Sequence, residues 1–329
     1  MADNRNAAVD VTRVAAAAGI ILCHTDLTAC GALGMLLNKF LSVRFSLMFF
    51  LAIIGYYLEK SYRAGRNPVP GRVRSLIRLY GVWSLVYVGL SFLMRDVPLG
   101  QFLAEKIKGF FLSGSHYHFW FYPAAIYSLL LIGGVKKLLG ERAIRFLMPL
   151  ALTLYGVGLL GTGYLLIGQQ SPGLSVLYGA EGFDDVMHLA LLGFPSIVFG
   201  MAAANREREC PGWLLLLAAA AYVGESVILC LCFGWREDPQ MLLTTPVLTV
   251  LFLHWVTGRT AWKGSVNGSL LRTVSSGMYN VHPLFLAVFA IILPGLDGLW
   301  AFALCTACSA GFGWTLYQLR KNKIMTLFI

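Results

Sequence analysis

The stretch VDVTRVAAAAGIILCHTDLT, residues 9–28, decides the reading of the whole chain. It is long and apolar enough to cross a bilayer, yet it carries Asp10, Arg13 and His24. Eleven residues at about 100° each return to within about 20° of the starting direction, so Arg13 and His24 share one helix face, separated by about 16 Å of rise. Between them run Ala15 to Ala18 and Gly19, small residues that let a second helix or a slender ligand come close to the backbone. A buried arginine needs a partner, a wet cavity or a ligand. Asp10, one turn before Arg13, is the simplest partner, and a helix-end pair reaching the interface is the bland reading. His24 on the same stripe favours chemistry. The segment lacks a cationic leader and a cleavage site, so it is expected to remain in the mature protein.

The rest of the chain follows the same pattern. Of 329 residues 57% are hydrophobic and 13% charged, and the mean hydropathy is +0.69. A soluble core cannot bury that much apolar surface. Ten spans are expected, near 9–29, 39–58, 76–94, 118–135, 146–168, 185–204, 213–233, 241–257, 269–293 and 297–317. The expected fold is all-α, one transmembrane domain over residues 1–329 with both termini cytoplasmic. With that orientation the inner segments hold Arg5, Lys60, Arg63, Arg66, Arg72, Arg74, Arg78, Lys136, Lys137, Arg142, Arg145, Arg206, Arg208, Arg259, Lys263, Arg272, Arg320, Lys321 and Lys323. The outer segments hold only Lys39, Arg95, Lys106, Lys108 and Arg236. The net charge of +10 is thus a topological signal, and a nucleic-acid partner is not expected. The seven cysteines, most of them inside apolar helices, do not form a disulfide framework, and the pair Cys305 and Cys308 is expected to pack, with no metal.

Arg44 is the second cation within a span. His282 lies midway along the ninth, near Ser275, Ser276, Tyr279 and Asn280, and reads equally as an interhelical hydrogen-bond cluster. Glu225, inside the seventh, reads equally as a buried protonated acid. His116, Tyr117, His118, Trp120, Phe121 and Tyr122 form an outer aromatic mouth of the kind an interfacial belt produces. The segment between the second and third spans reads as a cytoplasmic loop with Lys60, Arg63, Arg66, Arg72, Arg74 and Arg78. That is more positive charge than orientation demands and suits either a ligand with several phosphates or anionic lipid headgroups.

In this order the motifs resemble the membrane-bound acyltransferase 3 family. Its opening pattern is an Asp and Arg followed by a His, here Asp10, Arg13 and His24. Arg44-Phe45-Ser46-Leu47-Met48-Phe49-Phe50 with Gly55 and Tyr56 is similar to its second helix, His118-Phe119-Trp120-Phe121 with Pro123 to its fourth, and Tyr279 with His282-Pro283 to a late one. The wording around His24 and Trp120 is closest to the branch containing the membrane domain of vancomycin-resistance serine racemases, although no racemase-like segment follows within these 329 residues. The Arg72, Arg74, Arg78 spacing and the run Phe183-Asp184-Asp185 depart from the family pattern.

The resemblance implies a multi-pass enzyme of a bacterial inner membrane. It would move an acyl group, expected to be acetyl, from cytoplasmic acetyl-CoA to a hydroxyl or amine of a cell-envelope glycan or lipid-linked acceptor. It implies His24 as general base or transient acyl carrier with Arg13 beside it, Arg44, Arg72, Arg74 and Arg78 toward the donor, and Trp120, His118, His282 and Glu225 toward the acceptor. The pantetheine arm would thread along the Ala-rich face of the first span. Two rivals stand beside this reading: a transporter for a small polar solute such as an amino acid, and a receptor without chemistry.

Overall fold

A computed structural model describes residues 6–38, 43–205, 209–233, 241–258 and 267–329. Of the residues discussed above, Arg5, Lys39, Arg206, Arg208, Arg236, Arg259 and Lys263 lie outside the described residues. The described part is all-α, with no strand. In chain order the helices are α1 (Ala7–Cys23), α2 (Gly31–Met35), α3 (Val43–Arg63), α4 (Val69–Leu93), α5 (Leu99–Phe111), α6 (Phe121–Leu139), α7 (Ala143–Gly161), α8 (Leu165–Gly168), α9 (Pro172–Tyr178), α10 (Phe183–Val186), α11 (Phe194–Asn205), α12 (Gly212–Phe233), α13 (Thr245–Gly258), α14 (Gly268–Ile292) and α15 (Gly298–Gln318). Residues 187–193 form a π-helical turn between α10 and α11.

Among the described residues, six helical stretches can cross a membrane by length and composition, or seven if α1 and the segment bent from it by 94° make one span. One of the six, Phe121–Gly161, is divided at Gly140, whose φ of 55° ends α6; one 3-10 turn, Gly140–Arg142, then leads into α7. Helices stand at each of the ten expected windows, but α13 has only 14 residues and α3 ends in Glu59, Lys60 and Arg63.

The chain divides into two compact units, residues 1–50 with 207–329, and residues 51–206. In the first, α1 lies along α14. Asp10 bonds Arg272, Ala17 and Ile21 pack with Met278 and Cys305, and His24 stacks on His282, so the two helices run parallel in register. The Ala-rich face of α1 is therefore used by a helix: Val14, Ala17, Ala18 and Ile21 share a core with residues of α14 and α15. Gly277 and Gly313 bring the backbones of α14 and α15 into contact, since a Cβ on Gly277 would stand 2.7 Å from the Gly313 Cα. Asn6 joins two helix ends. Its Oδ1 accepts the Ala8 N–H at 3.0 Å, and its amide donates to the Val256 and Thr257 carbonyls at the end of α13 at 2.8 and 3.1 Å.

In the second unit α3 and α11 cross at Gly55 and Gly200, where any side chain would collide with the carbonyl oxygens of Ile197 and Ala52. The glycine of the Gly55-Tyr56 motif is thus a backbone-contact residue. Glu59 and Lys136, both buried, form an ion pair through both carboxylate oxygens at 2.9 and 2.8 Å. Arg63 donates to the Ala204 carbonyl at 2.8 Å, closing the end of α11.

Candidate functional site

The first span ends sooner than its hydropathy suggests. α1 stops at Cys23, His24 is its C-cap (φ −97°, ψ 3°), and the chain turns by 94°. The expected span ran on to residue 29, whereas His24, Thr25 and Asp26 offer polar side chains where the helix can stop. Thr25 donates its hydroxyl to the Leu22 carbonyl at 2.7 Å, and Asp26 accepts the Thr28 N–H at 2.9 Å, which starts the next turn. His24 is consequently exposed at the lip of a cleft of about 460 Å³ lined by Cys23, His24, Thr25, Asp26, Leu27, Thr28 and Asn38.

His282 reaches the same histidine from α14. The two rings stack with centroids 5.2 Å apart and planes 25° from parallel. The His-Pro order of residues 282 and 283 explains how His282 is held. Pro283 has no N–H to give the carbonyl four residues back, Tyr279. The Nδ1 of His282 takes that carbonyl instead at 2.8 Å, with the Met278 carbonyl at 3.2 Å, and it must carry the proton because both partners are acceptors. In the neutral ring Nε2 is then the basic nitrogen. His282 is fully buried; within α14, Ser275 donates to the Arg272 carbonyl and Asn280 to that of Ser276, and Cys305 of α15 donates its thiol to the His282 carbonyl at 3.5 Å.

Arg13 is half-buried on the α1 face that looks toward α14, and Asp10, its expected partner, is held by Arg272 of that helix at 2.8 Å. Arg44 is buried in the first turn of α3, close enough to Tyr222 of α12 to act on it electrostatically. Glu225 is committed to structure. Its carboxylate accepts the N–H groups of Leu243 and Thr244 at 2.6 and 2.8 Å and the Thr244 hydroxyl at 2.5 Å, capping the N-terminus of α13.

In the second unit the expected arginine loop is largely a helix. α4 begins at Val69 with Pro70 in its first turn, where proline's missing N–H does no harm, so Arg72, Arg74 and Arg78 occupy its first turns. Arg74 and Arg78, four apart, share one exposed face. Arg72 lies on another face and donates to the Ile54 carbonyl of α3 at 2.8 Å. Lys136, counted with the cytoplasmic cations, is buried and paired with Glu59.

The aromatic mouth is tied to α4 by a chain of hydrogen bonds: Ser115 Oγ donates to Ser84 Oγ at 2.7 Å, the Ser115 N–H donates to the Tyr80 hydroxyl at 3.0 Å, and that hydroxyl donates to the Phe110 carbonyl at 2.8 Å. His118 is buried, and its Nδ1 shares a hydrogen bond with the Nδ1 of His116 at 2.9 Å. Trp120, at the N-cap of α6, stacks on His188 at 4.3 Å. Sequence reasoning missed His188. It sits in the π-helical turn, a geometry often found at functional positions, and periodicity does not reveal such a turn. Asn38 was missed as well, because its partners lie more than a dozen residues away in the chain. Among the described residues no group of three or more potential metal ligands occurs.

Comparison with known proteins gives this arrangement a family. An acyltransferase-domain model, Acyl_transf_3, matches residues 6–318. The chain belongs to the acyltransferase 3 family. It is similar to an amino-acid racemase of Enterococcus faecalis, 26% identical over 340 residues, which cover 95% of this chain and 46% of that protein. It is also similar to a serine/alanine racemase of Enterococcus gallinarum, 26% identical over 298 residues, covering 86% of this chain and 41% of the other. The acyltransferase 3 chain thus spans less than half the length of these relatives. No solved structure matches it. The membership and the apolar helices make it a multi-pass membrane protein.

Proposed function

We propose that this protein transfers an acyl group, acetyl in the first instance, from cytoplasmic acyl-CoA to a hydroxyl or amine of a cell-envelope glycan or lipid-linked acceptor. The observation that carries the reading is His24 at the lip of a cleft, stacked on a histidine whose tautomer the helix backbone dictates. His24 acts as general base. It takes the proton of the acceptor O–H or N–H as that atom attacks the thioester carbonyl. The C–S bond then breaks, CoA leaves as the thiolate, and the proton passes from His24 to it. His282 holds the imidazole plane by stacking.

The exposed pair Arg74 and Arg78 binds donor phosphates, Arg72 fixes α4 on α3, and the half-buried Arg13 and the buried Arg44 orient the donor. Because α14 lies along the Ala-rich face of α1, the pantetheine arm is not routed there. Trp120, His118 and His188 shape the acceptor mouth, and Glu225, bound to the backbone ahead of α13, takes no part in it. The protein is taken as one functional domain with both termini cytoplasmic and ten helices across a bacterial inner membrane.

A second reading, a carrier for a small amino acid, draws on the names of the racemase relatives. Purified protein in nanodiscs separates the two. The enzyme binds acetyl-CoA and releases CoA thiol, whereas a carrier binds the amino acid and ignores the thioester.

A further inference from the structure

Where α1 breaks, one side chain holds both carbonyls that flank the proposed base. The Asn38 amide nitrogen donates to the Leu22 carbonyl at 2.7 Å and to the Thr25 carbonyl at 2.5 Å. Both partners are acceptors, so the amide orientation is dictated: the NH2 must face them, one hydrogen to each. Asn38 is 4% exposed and lines the same cleft as His24. A helix end leaves its last carbonyls without intrahelical donors, and here they surround the residue on which the chemistry rests. Thr25 adds its own hydroxyl to the Leu22 carbonyl at 2.7 Å.

We propose that Asn38 is a positioning residue for His24. Its two N–H groups clamp residues 22 and 25, on either side of the histidine, and so set where the imidazole meets the attacking atom. The inference rests on the acyl-transfer reading and deepens it. The stack on His282 sets the plane of the imidazole, whereas the clamp sets the place of its Cα. An error of about 1 Å at a reacting group costs about 10²-fold in rate, which a loosened helix end can produce while leaving donor affinity intact.

The test uses full-length protein in nanodiscs with acetyl-CoA and water as the acceptor, following release of the CoA thiol. Asn38→Leu keeps the bulk and removes both donors, and Asn38→Gln returns the amide on a longer arm. Asn38→Ala, which also removes both donors, replaces the leucine variant if that does not fold. Asn38→Leu should lower kcat by about 10²-fold at an unchanged KM for acetyl-CoA, with Asn38→Gln recovering part of the loss. A kcat for Asn38→Leu within about threefold of wild type, far from that figure, would overturn the clamp. So would equal losses in the Leu and Gln variants, which would show that side-chain shape rather than hydrogen-bond donation matters, or a loss confined to KM. Wild-type protein that releases no thiol defeats the acyl-transfer reading itself. An active wild type with an inactive His24→Ala and a fully active Asn38→Leu defeats only the role of Asn38.

Discussion

Lys136→Met removes the cation from a pair whose carboxylate, Glu59, is 0% exposed. Both carboxylate oxygens lie within 2.9 Å of the ammonium, and the Tyr62 ring lies 5.3 Å from it, so the charge is balanced locally with little help from solvent. Breaking a buried pair from one side costs about 3–5 kcal/mol, because the remaining charge stays buried without its counter-ion. At about 2–4 °C per kcal/mol, the apparent melting temperature of the protein in nanodiscs should fall by roughly 10 °C. The double variant Glu59→Met with Lys136→Met buries no charge and should regain most of the loss, since apolar replacement of a whole buried pair is often neutral. A Lys136→Met protein that melts within about 2 °C of wild type would refute the reasoning, and so would a double variant no better than the single one.

Other outcomes follow from the same contacts. Arg74→Gln with Arg78→Gln should weaken acetyl-CoA binding and flatten its salt dependence, as screening of exposed charge requires, whereas Arg72→Gln should mainly lower stability; equal losses of affinity from both would contradict the division of α4 into two faces. Gly55→Ala should cost more than the usual 1–3 kcal/mol of an overpacked core, read as loss of folded protein on size exclusion, because the obstacle is the Ile197 carbonyl of a crossing backbone; normal yield and melting would contradict the contact. Cysteine labelling should place residues near Gly65, Glu141 and Lys321 on the cytoplasmic side and residues near Gly173 and Asp297 outside; Gly65 and Gly173 on one side would overturn the orientation.

The class of the fold was legible because apolar runs of span length leave few alternatives, and helical period alone put Arg13 and His24 on one face, which the structure uses against α14. The end of α1 was not legible: a window of span length averages over His24, Thr25 and Asp26, and the stop depends on Thr25 and on Asn38, which holds carbonyls distant from it in sequence. The start of α4 was misread because Pro68 and Pro70 are loop signals by composition and helix-start signals by position. Lys136 entered the charge count among the inner-segment cations without a partner, because only the packing of α3 against α6 reveals Glu59 beside it. Glu225 shows the same gap. A lone acid in an apolar run says nothing of the helix N-terminus that it caps.

The most direct test of the central claim is turnover of acetyl-CoA by His24→Ala at saturating donor. A general base contributes about 10²- to 10⁴-fold, so the folded variant should lose that factor in kcat while binding acetyl-CoA with wild-type affinity. A folded His24→Ala protein that retained more than about a tenth of the wild-type rate, well outside that range, would contradict the account and return the histidine to a packing role against His282.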